Sequence, residues 1–171
     1  MNNYKNESPI QINNYLAEER YLGIMSVVKS IPISDWSYQA EHGRYLYSDK
    51  WLDKIGIYEI DNARKIFNND NLLFTYSLLS FYNGNSGLEM HTDDNACTYT
   101  LDICLYAKEI WPLIVENKSY DLNNNDALCY YGSDQVHGRP EFKEGNEVLM
   151  MFLHFADRNH WWFQANNKEC T

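Results

Sequence analysis

Residues 72–94 read LLFTYSLLSFYNGNSGLEMHTDD, and the fold turns on them. Residues 72–82 are an uncharged run of Leu, Phe, Thr, Tyr and Ser, which signals a strand; Asn83-Gly84-Asn85 is a turn, and His91-Thr92-Asp93 follows it. On a strand, positions i and i+2 point to one face, so an imidazole and a carboxylate two apart can grip one metal ion. The plainer alternative for this tripeptide is a polar turn after Met90.

Downstream, residues 98–106, 111–115, 127–131 and 147–155 are further short β-branched, aromatic or leucine-rich runs. They are separated by Asn, Gly and Asp turns such as Asn123-Asn124-Asn125-Asp126, the pattern of an antiparallel β region. Upstream, apolar residues recur at near-helical spacing over residues 15–30, and residues 62–67 suggest a second short helix. Residues 35–53, rich in Trp and Tyr without clean periodicity, read as strand or loop. The expected fold is mainly β with N-terminal helices, a jelly roll (double-stranded β-helix) in one domain over residues 1–171. Residues 1–70 form the helical or irregular support, residues 72–155 the core with the metal site, and residues 156–171 the tail. Trp161, Trp162 and Phe163 in that tail either cover the barrel mouth or pack on the helix, and packing on the helix is the default.

The chain of 171 residues carries 24 acidic against 14 basic side chains, a formal charge of −10. That balance, with no Lys/Arg cluster, repels phosphate backbones and anionic membrane surfaces, so neither nucleic acid nor membrane is an expected partner. Cys97, Cys104, Cys129 and Cys170 show no CxxC spacing; Cys104 and Cys129 sit in apolar runs and are expected buried and reduced. The N-terminus lacks the basic and apolar regions of a signal peptide, and no run reaches the ~18 apolar residues of a membrane span. The expected location is cytoplasmic.

The order of elements sharpens the metal reading. A long apolar strand, a Gly-containing turn, His91-x-Asp93, further strands and then His137 at a strand start is the arrangement a 2-His-1-carboxylate triad needs, with positions left open for co-substrate and oxygen. His154, inside Phe152-Leu153-His154-Phe155, is a competing third ligand, although a lone His in an apolar strand is more often a packing residue. Asp94 would serve only if the strand slipped by one residue, turning His91 away. His42 and His160 have no partner pattern.

Over residues 72–155 the chain resembles the iron(II)- and 2-oxoglutarate-dependent oxygenases, in their small bacterial, prolyl-hydroxylase-like branch. The matching text is LLSFYNGNSGLEMHTDD, YTLDICLYAKEIWPLIVE and NDALCYYGSDQVHGRPEFKEGNEVLMMFLHFAD. The resemblance implies His91, Asp93 and His137 as iron(II) ligands, with 2-oxoglutarate and O2 as co-substrates. It also implies hydroxylation of an amino acid, a peptide side chain or another small molecule, with release of succinate. The family commonly holds the far carboxylate of 2-oxoglutarate with Arg or Lys about ten residues past the distal His, where this chain has Glu147. Arg139, two residues after His137 and extended by Pro140, is the replacement anchor, with Lys108 as second choice. Tyr76, Ser80 and Tyr82 share a strand parity, and the two tyrosines are candidate co-substrate contacts. A cupin-like metal-binding jelly roll that does not use 2-oxoglutarate is the alternative.

Overall fold

The computed structural model describes residues 4–83, 87–141 and 144–166. In chain order the elements are β1 (Ile10–Ile12), α1 (Glu18–Ser30), β2 (Ser37–Gln39), β3 (Arg44–Tyr47), α2 (Lys50–Tyr58), α3 (Ile60–Phe67), β4 (Leu72–Asn83), β5 (Leu88–His91), β6 (Tyr99–Ala107), β7 (Leu113–Val115), β8 (Lys118–Tyr120), β9 (Ala127–Tyr130), β10 (His137–Arg139), β11 (Glu147–Asp157) and α4 (Trp161–Ala165). They build a seven-stranded sheet, β1-β9-β6-β11-β4-β3-β2, and a four-stranded sheet, β5-β10-β7-β8. Every pairing in both sheets is antiparallel. This is the expected mainly-β jelly roll.

The alternation along β11 shows how the layers form. Leu149, Met151, Leu153 and Phe155 pack with Ile24 and Val28 of α1, Leu52 of α2 and Ala63 and Phe67 of α3. Val148, Met150 and Phe152 point the other way, onto Trp111, Leu113 and Val115 of the small sheet and its approach. A strand covered on both faces needs apolar residues at every position, which is why β11 reads as a continuous hydrophobic run. No helix of the described residues is long and apolar enough to cross a membrane.

The structure departs from the sequence expectation at several elements. The 35–53 stretch holds β2 and β3 and then begins α2, whose N-cap is Asp49, its side chain accepting from the Lys50 amide. The 111–115 run shortens to β7, because Pro112 has no N–H to give a ladder. The tail forms α4, and Phe163 packs on Leu73 and Ala156 at the ends of β4 and β11, in a cluster separate from the N-terminal helices. Trp162 lies 6.5 Å from the Tyr76 ring. Cys97, Cys104 and Cys129 are free and buried, and burial pushes the thiol of Cys104 up to about 11 and that of Cys129 up to about 12. Cys170 lies outside the described residues.

Two buried polar side chains tie the helical layer down. Glu59, between α2 and α3, accepts from the Tyr15 hydroxyl at 2.5 Å, from Asn62 Nδ2 at 2.8 Å and from the Arg20 guanidinium. Asn125 reaches from the turn before β9 to the strap ahead of α1, its Oδ1 accepting from the Leu16 amide and its Nδ2 donating to the Leu16 carbonyl. Helix α2 lies so close to β4 that a Cβ on Gly56 would meet the Phe74 ring at 2.0 Å, whereas one on Gly23 in α1 meets nothing within 4 Å. Gly56→Ala is therefore expected to destabilise the protein by ~1–3 kcal/mol through overpacking. Gly23→Ala, in a helix interior, should stabilise it by ~0.5–1 kcal/mol. Urea denaturation of both variants checks the pair, and equal effects would contradict the packing described.

Candidate metal centre and cavity

Strands β5 and β10 are neighbours, and His137 stands directly opposite His91 in their register. The two imidazoles meet with ring centroids 4.4 Å apart. Strand β5 stops at His91, so Asp93 is not on a regular strand as expected; it lies just past the strand end, where its N–H donates to the Gly132 carbonyl at 2.9 Å. His91 Nδ1 is 2.8 Å from the Glu89 carbonyl and His137 Nδ1 is 2.9 Å from the Gln135 carbonyl. A carbonyl can only accept, so each Nδ1 carries a proton, and each Nε2 is left to face Asp93. Asp93 Oδ1 is 3.5 Å from Nε2 of His91 and 3.6 Å from Nε2 of His137.

Three lone-pair atoms thus converge with no built-in donor among them, an arrangement that calls for a cation, either a proton or a metal ion. The bond to Asp93 raises His91 above the ordinary imidazole value against the opposing effect of burial. Burial works to raise the Asp93 carboxyl, but hydrogen bonds from His137 and His91 outweigh it and hold the carboxyl well below the carboxylate range. Gly132 completes the seat: a Cβ there would lie 2.5 Å from Asp93 Oδ2 and 2.8 Å from the Cys97 carbonyl oxygen. Only a glycine lets the carboxylate lie this close to the chain.

Beside this trio opens a cavity of about 160 Å³, lined by His91, Asp93 and His137 and by Arg44, Leu46, Tyr76, Leu78, Tyr82, Leu88, Asp102, Leu113, Tyr130, Arg139, Phe152 and His154. Arg139 is buried; its Nη1 donates to the Trp111 carbonyl at 2.5 Å, its guanidinium lies over the Trp111 ring, and its Nη2 has no partner. Tyr82 accepts from Arg44 Nη1 at 3.1 Å, and its ring packs edge-on against Trp111. Tyr76 packs on His154, with its hydroxyl 2.8 Å from Cys97 Sγ. Lys108 is exposed, donates to the Gly145 carbonyl at 2.8 Å and does not line the cavity; neither does Glu147, at the exposed start of β11. Ser80 is buried and its Oγ has no partner.

His154 stands apart from the His91–His137 pair. Its Nδ1 is 3.2 Å from Thr100 Oγ1, burial lowers it to about 4, and with Asp93 and Cys97 it makes a second group whose donor atoms lie within 4.8 Å of one another. Sequence reasoning did not reach Arg44, Asp102, Tyr130 or Gly132. Asp102 left a signal, a carboxylate in the otherwise apolar run TLDICL; the others left none.

No protein-family model matches the chain, and no curated protein matches it. Solved structures match it closely in shape. An oxidoreductase of the 2OG-Fe(II) oxygenase family from Burkholderia pseudomallei superposes with a TM-score of 0.73 at 10% identity, over 91% of this chain and 88% of that one. A Pseudomonas putida prolyl-4-hydroxylase gives 0.71 at 12% identity, over 92% and 96%. HygX from Streptomyces hygroscopicus, solved with nickel, 2-oxoglutarate and hygromycin B bound, gives 0.68 at 11% identity, over 91% and 85%. The shared property at such identities is the fold.

Because the raised affinity of His91 for a proton comes first from Asp93, displacing that carboxylate should undo it. Asp93→Asn is expected to move the His91 titration midpoint down toward about 6.5, the unperturbed imidazole value. Gly132→Ala, which crowds Asp93 Oδ2, should move it the same way. NMR titration of the imidazole resonances in metal-free protein reads both, and an unchanged midpoint in Asp93→Asn would contradict the geometry.

Proposed function

We propose that the protein is an iron(II)- and 2-oxoglutarate-dependent oxygenase in which His91, Asp93 and His137 hold the metal. The observation that carries this reading is the convergence of two Nε2 atoms and one carboxylate oxygen beside a cavity that also holds the unpaired Nη2 of a buried arginine. Two imidazoles and one carboxylate are the donor set of non-haem iron(II) sites with open positions. The fold shared with the solved oxygenases supports the same reading. Iron(II) bound there, with 2-oxoglutarate and O2, supplies the oxidising power to hydroxylate an unactivated C–H bond, with succinate and CO2 as co-products.

The chain's own part is positioning. The Glu89 and Gln135 carbonyls fix the imidazole orientations, and the Gly132 backbone seats Asp93. Arg139 takes the far carboxylate of 2-oxoglutarate through its free Nη2, with Tyr82 on the opposite wall and Tyr76 packed on His154. The substrate is a small molecule or a single side chain of a peptide reaching this cavity, and one protein of this fold was solved with the small molecule hygromycin B bound.

Each of His91→Ala, Asp93→Ala and His137→Ala is expected to abolish iron(II) binding in anaerobic calorimetry while the far-ultraviolet circular dichroism stays that of a β protein. Arg139→Ala should leave iron binding intact and weaken 2-oxoglutarate by roughly 30-fold or more, because it removes one partner of a buried charge pair worth ~2–5 kcal/mol. Arg139→Lys should recover part of that, since Lys lacks the planar fork. Lys108→Ala should change nothing. If iron-loaded wild-type protein bound no 2-oxoglutarate, the cupin-like reading would replace this one.

A further inference from the structure

Among the described residues, three buried side-chain atoms have no hydrogen-bond partner: Ser80 Oγ, Asp102 Oδ1 and Arg139 Nη2. The last two belong to residues that line the same cavity from opposite sheets, Asp102 from β6 and Arg139 from β10. Both are almost fully buried, at 2% and 6% exposure. They feel each other's charge, yet they form no ion pair. An unpaired donor and an unpaired acceptor face a space between them, and what fills that space must serve both.

A carboxylate serves only Arg139. Against an ionised Asp102 it would bring two like charges together in a closed, low-dielectric site. We infer that Asp102 stays a neutral carboxylic acid when 2-oxoglutarate is bound, and that it donates a hydrogen bond from Oδ1 to the far carboxylate opposite Arg139. The inference rests on the 2-oxoglutarate reading above. The hydrogen bonding of the other oxygen fits: Tyr130 donates its hydroxyl proton to Asp102 Oδ2 at 3.2 Å, so Oδ1 is the oxygen free to carry the acid proton.

The surroundings of Asp102 favour the acid form. Burial is the largest influence and raises it; Arg139 and His137 of β10 and the Tyr130 hydrogen bond from β9 lower it, and Asp93 raises it, leaving the carboxyl at about 7 in the free protein. Cys129 of β9, on the helix side of the large sheet, and Cys97 ahead of β6 lie near enough to feel its charge, and burial keeps both as thiols. From β11 it meets Phe152, its register partner, with His154 two residues further along, kept neutral by burial. An anion arriving beside it can only raise it further.

The consequence is a sign and a size. Binding holds a proton on Asp102, so 2-oxoglutarate should bind more weakly as pH rises above about 7, by roughly tenfold or more between about pH 6.5 and pH 8.5. The test is calorimetric titration of 2-oxoglutarate into protein loaded with manganese(II), in buffers of different ionisation enthalpy, with pyruvate as the control ligand. Pyruvate keeps the 2-oxo acid end and lacks the far carboxylate. Expected is proton uptake at about pH 8.5 with 2-oxoglutarate and not with pyruvate. In Asp102→Asn, whose amide always has an N–H to donate, the pH dependence should shrink to about twofold or less. The inference is overturned if wild-type protein binds 2-oxoglutarate with no more proton uptake than pyruvate, or if Asp102→Asn keeps the full pH dependence. Binding of pyruvate without preference for 2-oxoglutarate would instead overturn the co-substrate reading, and a misfolded Asp102→Asn leaves the wild-type comparison to decide.

Discussion

The register between β5 and β10 is the constraint from which the site follows. His137 faces His91 only because those two residues are ladder partners. Since side chains alternate along a strand, a slip of one residue would turn one ring out of the cavity. The pairing is irregular by one residue: His137 lies opposite His91, but Arg139 lies opposite Leu88, so Glu89 and Met90 bulge against Gly138. The bulge lets Leu88 and His91, three residues apart, both line the cavity. It also requires Gly138, where a Cβ would lie 2.7 Å from the Leu88 carbonyl oxygen. A second irregularity, where β4 passes His154 of β11, does the same on the large sheet: Phe74 turns to the helices while Tyr76, two residues later, lines the cavity.

The interior between the sheets is divided along its length. One end is apolar, with Trp111, Leu122, Leu128, Val148 and Met150 in one cluster. The other end collects His91, Asp93, Asp102, His137 and His154 around the cavity. Each unsatisfied buried polar atom costs ~1–3 kcal/mol, so a site with such atoms needs stability from elsewhere. The helical layer is that source. Its core, from Leu16 through Phe155, is separate from the cavity and is pinned by Glu59 and Asn125. The chain can therefore carry an unfavourable polar pocket on one face of the large sheet while the opposite face holds the fold together.

What was legible in the sequence follows from which signals are local. Residues 72–82 and 147–155 announced β4 and β11 through long apolar runs, and His91-x-Asp93 with a later His137 announced the trio that the register brings together. Short strands such as β1, β2 and β8 are three residues each, too short for alternation to show. Helix α2 was hidden by Gly56 in its interior and by the aromatic residues before it; the glycine is there to admit the Phe74 ring. Gly132 and Arg44 matter through contacts with residues far away in sequence, which no local pattern encodes. Asp102 was visible as a lone charge in an apolar strand, but its meaning required seeing that Arg139 faces the same space without pairing with it.

Arg139 shares a three-residue strand with His137, which ties the two positions together more tightly than residues on separate sheets are tied. His137 and Arg139 are two residues apart on one three-residue strand, so they point to the same face roughly 6.5 Å apart along the chain. The bulge that disturbs the ladder falls on β5, which leaves the spacing on β10 regular. Neither residue can shift without the other. Glu147, at the exposed start of β11, is linked to His137 only through the cross-sheet packing of two layers. Placing both on β10 makes the distance between His137 and Arg139 a property of one strand's backbone. What remains adjustable is the opposite wall, where Asp102, Tyr82 and Arg44 project from the large sheet and set how the space above that strand is filled.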